Sequence, residues 1–178
     1  MFAGVDLDPR VVDNPFLDQG RVSDAGEIPY PDSSFDVVFS DNVLEHLDKP
    51  AEVFLEVARV LKPGGVFMFK TPNKWHYMPT IARLTPHRFH QFVNRIRGRA
   101  EVDTFPTRYR ANTKSDVTRL AHQTGFSVMS VDRVEGRPEY LRMTALTYFC
   151  GMLYERLVNM ADFLALFRVL LVGMLQKK

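Results

Sequence analysis

The stretch from Phe35 to Pro72 constrains the fold more than any other part of the chain. It opens with FDVVFS, a run of β-branched and aromatic residues, and closes with GVFMFKTP, a second such run. Between them, DKPAEVFLEVARVLKPGG reads as one helix. Asp48 is the candidate N-cap, and Pro50 sits in the first turn, where its missing N–H does no harm. Val53, Phe54, Val57, Ala58 and Leu61 form an apolar stripe, and Pro63, Gly64 and Gly65 stop the helix. Neither strand alternates clearly, the pattern of strands covered on both faces. Strand, helix and strand in this order imply a right-handed crossover and a parallel pair.

The flanks continue the theme. FAGVDL, residues 2–7, is a short apolar strand running into an acidic turn, and Val22 is a weaker strand signal. Pro29, Pro31 and Asp32-Ser33-Ser34 enforce a loop before Phe35. Downstream, TKSDVTRLAHQTGF is a helix with Val117, Leu120 and Ala121 on one face and Gly125 as its stop. FSVMSVDRVEG alternates as a strand, with Val128 and Ser130 on one face and Met129 and Val131 on the other. Residues 139–167 read as an apolar helical segment, and FRVLLVGMLQKK as a terminal strand. With 178 residues, the expectation is one α/β domain over 1–178, a mostly parallel sheet with flanking helices.

Composition narrows the function classes. The single cysteine, Cys150, excludes an internal disulfide framework, and its apolar surroundings predict a buried, inert thiol. The longest apolar run, Met143 to Tyr154, is shorter than the roughly 20 residues a membrane span needs. No basic region followed by a long apolar stretch marks a secretory signal, so the expected location is cytoplasmic, with a peripheral membrane contact left open. No metal-ligand spacing stands out. Charge is divided along the chain: residues 1–56 hold 13 acids and 3 bases, whereas 74–119 hold 10 bases and 3 acids. The two regions therefore do different work, or pair with each other.

Three stretches together, GVDLDP, DAGEIPYPDSSFDVVFSDNVLEHL and EVARVLKPGGVFMFKTPN, resemble the class I S-adenosylmethionine-dependent methyltransferases, in particular the small single-domain, type 11-like members. The resemblance covers residues 2–73; the Gly125-Phe126 turn and the final strand fit it more loosely. It implies a Rossmann-like sheet and S-adenosylmethionine as cofactor. Asp6, at the end of the second strand of that fold, is then the candidate ribose ligand, with Leu7 beside it. Asp24 and Ala25 would meet the adenine, and Ser40, Asp41 and Asn42 the methionine part and the acceptor entrance. Each residue also has a plainer reading. Asp6 and Asp8 suit a turn before Pro9, and Asp24 suits a turn cap. His46 is the candidate general base, against a packing role at the start of a connection.

Residues 74–112 are too long for a simple connection and are the expected acceptor-binding insertion. Trp75, His76, Tyr77, Arg88 and Tyr109 are its candidate substrate contacts, and its interleaved aromatic and basic residues suit an anionic, glycan or lipid-linked acceptor. A solvated face balancing the acidic first third is the equal alternative. A net charge of +2 without an RNA-binding signature disfavours nucleic acid. The apolar residues of 139–167 suit core or homodimer packing, with an interfacial membrane helix as the sharper alternative.

The resemblance carries one more expectation. FAGVDL matches the second strand of the family sheet, so the first strand, with its glycine-rich loop, is absent from this sequence, which reads as N-terminally truncated. The first two strand segments are expected to be displaced, poorly ordered or irregularly paired, with cofactor affinity weak or absent. The rival to a small-molecule, glycan or lipid-linked O-methyltransferase is a non-catalytic relative serving as a binding or regulatory subunit.

Overall fold

A computed structural model describes residues 1–84, 106–136, 141–142 and 144–178. In chain order the elements are β1 (Ala3–Asp6), β2 (Gln19–Val22), β3 (Phe35–Asp41), α1 (Pro50–Val60), β4 (Leu61–Pro72), α2 (Tyr77–Leu84), α3 (Lys114–Gln123), β5 (Phe126–Val134), α4 (Ala145–Asn159) and β6 (Leu170–Lys177). They build a mixed α/β fold with two sheets. β1 and β2 pair in parallel as a two-stranded sheet, and a second sheet has the order β3-β4-β6-β5. β3 and β4 run parallel, joined through α1, while β6 lies antiparallel between β4 and β5. The segments at 2–7 and 35–40 are not ladder neighbours: β1 is displaced from the larger sheet and pairs in regular parallel register with β2, not irregularly.

The core lies between one face of the larger sheet and helices α1 and α3. Phe54 and Val57 of α1 and Val117, Leu120 and Ala121 of α3 are buried against Phe67, Phe69, Phe126, Leu171 and Leu175. Phe54 meets Phe67 and Phe126 edge-on, with ring centroids 5.5 and 6.4 Å apart, a favoured aromatic geometry. Thr113 caps α3, and Gly125, at φ 84°, ends it as the sequence predicts.

Four expectations are corrected. First, β3 is not covered on both faces: Val37 is 54% and Phe39 62% exposed, because the helices cover only the Phe67–Phe69 side of the sheet. Met68 on β4 is exposed on the same open side. Second, Lys49, not Asp48, occupies the N-cap of α1 and makes no side-chain cap bond. Third, β5 does not alternate evenly. A register shift between Val128 and Ser130 lets Val131 join Val128 on the core side and leaves Met129 exposed. Fourth, the apolar segment is only partly packed. Within it, Leu146, Phe149, Leu153, Leu157 and Met160 are exposed, and so is the Cys150 thiol that was expected to be buried.

The small sheet is latched to α1 through two side chains, Arg59 and Glu56. Arg59 donates to Glu56 at 2.8 Å, to Asp32 at 2.8 Å, and to the carbonyls of Ile28 and Tyr30 at 2.7 and 2.9 Å. Glu56 also accepts from the Ile28 amide at 3.0 Å. Tyr30 in turn carries the Arg21 guanidinium of β2 over its ring at 4.6 Å.

Candidate active site

The carboxyl ends of parallel strands are where open α/β sheets bind ligands. At the end of β1, Asp6 is exposed and accepts from the Asp8 amide at 2.9 Å through Oδ1, an Asx turn. Leu7 beside it is exposed. Asp8 is tied to Arg10 by side-chain and backbone hydrogen bonds, which hold its carboxyl down at about 2. The Ser23 amide donates to the Asp6 carbonyl at 3.1 Å, which brings the 23–26 turn to the same end of the small sheet. There Asp24 Oδ1 accepts from the Gly26 amide at 2.7 Å, and Ala25 packs against the core. Asp6 and Asp24 thus share one end of the β1–β2 pair.

The end of β3 forms a second group. Asp41 pairs with Lys70 across the ladder at 2.8 Å. Asn42 sits at φ 54° and donates its amide to the Lys70 carbonyl at 2.8 Å. Non-glycine residues in this region are uncommon, and asparagine tolerates it best. Ser40 Oγ is buried with no hydrogen-bond partner among the described residues. An orphaned hydroxyl of this kind at a strand end suits a polar ligand or water. The candidate cofactor residues thus fall in two groups, Asp6 and Asp24 on the β1–β2 pair and Ser40, Asp41 and Asn42 at the end of β3 in the larger sheet.

Just beyond, the chain turns through Leu44–His46. Sequence reasoning singled out His46 here, yet Glu45 is the residue drawn inward. It is 5% exposed and accepts from Thr71 Oγ1 at 2.9 Å. Thr71 accepts in turn from Asn112 Nδ2 at 2.7 Å, which also donates to the Pro72 carbonyl at 2.9 Å. Burial raises the Glu45 pKa, opposed by hydrogen bonds from its own backbone amide and from Thr71. The Glu45 carbonyl accepts from the amides of Arg108 and Tyr109 at 2.6 and 3.1 Å. His46 Nδ1 lies 3.1 Å from the Pro106 carbonyl, so Nδ1 carries the proton, and Nε2 stands 3.9 Å from Glu45 Oε1. Thr71, Asn73 and Asn112 went unnoticed in the sequence. The only available signal for Glu45 was an acid in the otherwise apolar turn VLEHL.

The candidate acceptor residues separate. Trp75 is half exposed, whereas His76 is 2% exposed and lies within an aromatic cluster. Its ring centroid is 4.1 Å from that of Tyr77 and 5.6 Å from that of Tyr154, and Tyr77 and Tyr154 are 4.8 Å apart. Burial lowers the His76 pKa to about 4, so the ring is neutral at pH 7 and acts as packing beneath Tyr77. Burial likewise raises Glu135, at the end of β5, to about 7. Tyr109, at φ 52°, lies in the loop held by Glu45. Arg88 falls outside the described residues.

Known proteins resemble this chain in part of its sequence and in its fold. Residues 1–69 match the methyltransferase domain family. An S-adenosylmethionine-dependent methyltransferase of Mycolicibacterium smegmatis is 46% identical over 59 residues, 33% of this chain and 23% of that protein. The 27-O-demethylrifamycin SV methyltransferase of Amycolatopsis mediterranei is 45% identical over 60 residues, 34% of this chain and 20% of the relative. The match therefore spans less than a quarter of the length of these curated relatives. In fold, the S-adenosylmethionine-dependent methyltransferase of Mesorhizobium loti superposes with a TM-score of 0.58 at 18% identity, covering 98% of this chain and 79% of its own. Residues 1–69 are thus similar in sequence to the methyltransferase domain family, and the chain as a whole shares the Rossmann-like fold of S-adenosylmethionine-dependent methyltransferases.

Proposed function

We propose that this chain binds S-adenosylmethionine and takes part in methyl transfer to an oxygen of a small-molecule, glycan or lipid-linked acceptor. The observation that carries the reading is the match over residues 1–69, with Asp6, Asp24 and Asp41-Asn42 falling at strand ends. When bound, S-adenosylmethionine supplies a methyl group already activated as a sulfonium, so the protein's task is chiefly alignment. Asp6 and Leu7 would hold the ribose, Asp24 and Ala25 the adenine, and Ser40, Asp41 and Asn42 the amino-acid part. His46, its Nδ1 proton held by Pro106, would accept a proton at Nε2 from an acceptor hydroxyl, steadied by the Glu45 carboxylate. Trp75, Tyr77 and Tyr109 would meet the acceptor, with His76 supporting Tyr77 from below.

Titration calorimetry with S-adenosylhomocysteine tests the reading. Saturable binding is expected, weakened about tenfold or more in Asp6→Ala, as the loss of a charged hydrogen-bond acceptor predicts. Absence of binding to the unaltered chain overturns it. A second reading, a binding or regulatory subunit completed by a partner, is favoured by one feature: no strand pairs with the outer edge of β3 among the described residues. Weak binding that strengthens when a partner chain is added would support it.

A further inference from the structure

A concavity of about 480 Å³ opens between the start of α1, the residues after β4, the 108–110 loop and α3. Its charges are unbalanced. Among the described residues, Lys49, Lys74, Arg108, Arg110 and Arg119 line it, against Asp48 and Asp116. The two acids leave most of the donors unused. Asp48 engages Arg108 through Nε alone, at 2.9 Å, and its backbone carbonyl accepts from Arg110. Asp116 meets one nitrogen of Arg119, at 3.2 Å, while its other oxygen accepts from the capping Thr113 hydroxyl at 2.6 Å. Lys49 pairs with Glu52 at 3.0 Å. The Lys74 ammonium has no partner among the described residues. A guanidinium presents five donors in a planar fork that matches phosphate oxygens, so the groove holds far more donors than its own carboxylates can use.

The backbone organises these cations. Tyr109 adopts the left-handed region at φ 52°, and the Glu45 carbonyl holds the amides of Arg108 and Tyr109. With the chain kinked at 109, Arg108 and Arg110 both face the groove. Lys74 is fixed from the other side, its amide donating to the Asn112 carbonyl at 3.0 Å. The groove and the Glu45–His46 turn therefore share one loop, and the groove lies at the same end of the strands as Asp41.

We propose that this groove binds a phosphate group, the anionic handle of the methyl acceptor, free in solution or as the head group of a lipid. The assignment to the acceptor rests on the methyltransferase reading; the anion site itself does not. Electrostatic complementarity of this kind is worth most at low salt and fades as the Debye length shrinks.

Two arms test it on the full chain at low ionic strength. In the first, pyrophosphate is titrated by calorimetry into the unaltered protein and into the Lys74→Glu/Arg119→Glu double variant. In the second, both proteins are sedimented with phosphatidylcholine vesicles containing phosphatidic acid. Both substituted residues are surface groups, and matching thermal melts verify that the variant folds. Binding in either arm, weakened about tenfold or more in the variant and by added salt, supports the site and names the source of the phosphate. No binding in either arm, or binding that the variant leaves unchanged, overturns it. S-adenosylhomocysteine titrated separately keeps the two readings apart, since retained cofactor binding without pyrophosphate or vesicle binding sinks only the groove.

Discussion

Glu45, buried, and Glu135, half-buried, are two acids at the same end of the sheet, and they answer to different surroundings. Glu45 is held by a hydroxyl and by the chain of bonds through Thr71 and Asn112, whereas Glu135 accepts from the Val169 amide at 2.8 Å while burial raises its pKa to about 7. The sign of its effect follows from proton counting. Between its ordinary value of 4.5 and about 7 the folded state holds the Glu135 proton more tightly than the unfolded chain does. The stability that Glu135 contributes is therefore full at the acid end of this window and is lost as pH rises through it. His76, lowered to about 4 from 6.5, works the other way, losing stability as pH falls through its own window. Urea denaturation at pH 5 and pH 8 separates the two. The unaltered chain should lose stability, relative to Glu135→Gln, on going to pH 8; an unchanged difference refutes the assignment. Sequence alone identified His76 and not Glu135, because an aromatic histidine run is visible as text. A carboxyl becomes special only when β5, α4 and the start of β6 close around it.

At the scale of elements, one strand approaches its neighbour so closely that only glycine fits. A Cβ on Gly173 of β6 would overlap the ring of Phe69 on β4, and Phe69 is fully buried. Gly173→Ala should therefore destabilise the protein by about 1–3 kcal/mol, the usual cost of overpacking, read as a lower midpoint in thermal or urea melts. A melt equal to the unaltered chain would mean that the ring moves freely. The helix–strand alternation around β3, α1 and β4 was legible because apolar periodicity is a local signal, although α1 ends at Val60 and Pro63-Gly64-Gly65, expected to stop it, lie within β4. The exposure of Val37 and Phe39 was not. An unbroken apolar run looks the same whether one face of the strand is covered or two. The exposed stripe of Leu146, Phe149, Leu153, Leu157 and Met160 on α4 raises the same difficulty, since its spacing specifies a face without specifying what the face meets.

For the whole molecule, Arg59 is the link between two separately paired sheets. Its guanidinium joins α1 to the loop that follows β2, through Asp32, Ile28 and Tyr30. A two-stranded ladder is marginal by itself, so its order depends on this tie. In Arg59→Ala, amide exchange should quicken across 3–30 while β4 and β6 keep their protection, measured by hydrogen–deuterium exchange. Uniform loss of protection would instead make Arg59 a global stabiliser. The amino-acid sequence by itself determined the βαβ unit, the Gly125 helix stop and the likeness of residues 1–69 to the methyltransferase domain family, because each is written in local spacing. Tertiary structure alone decided that β1 and β2 pair apart from the larger sheet and that Glu45 turns inward beside His46. It also decided that five cations line one groove. These depend on which backbone hydrogen bonds are satisfied and which charges converge across 20 or more residues of chain, and no local pattern encodes either.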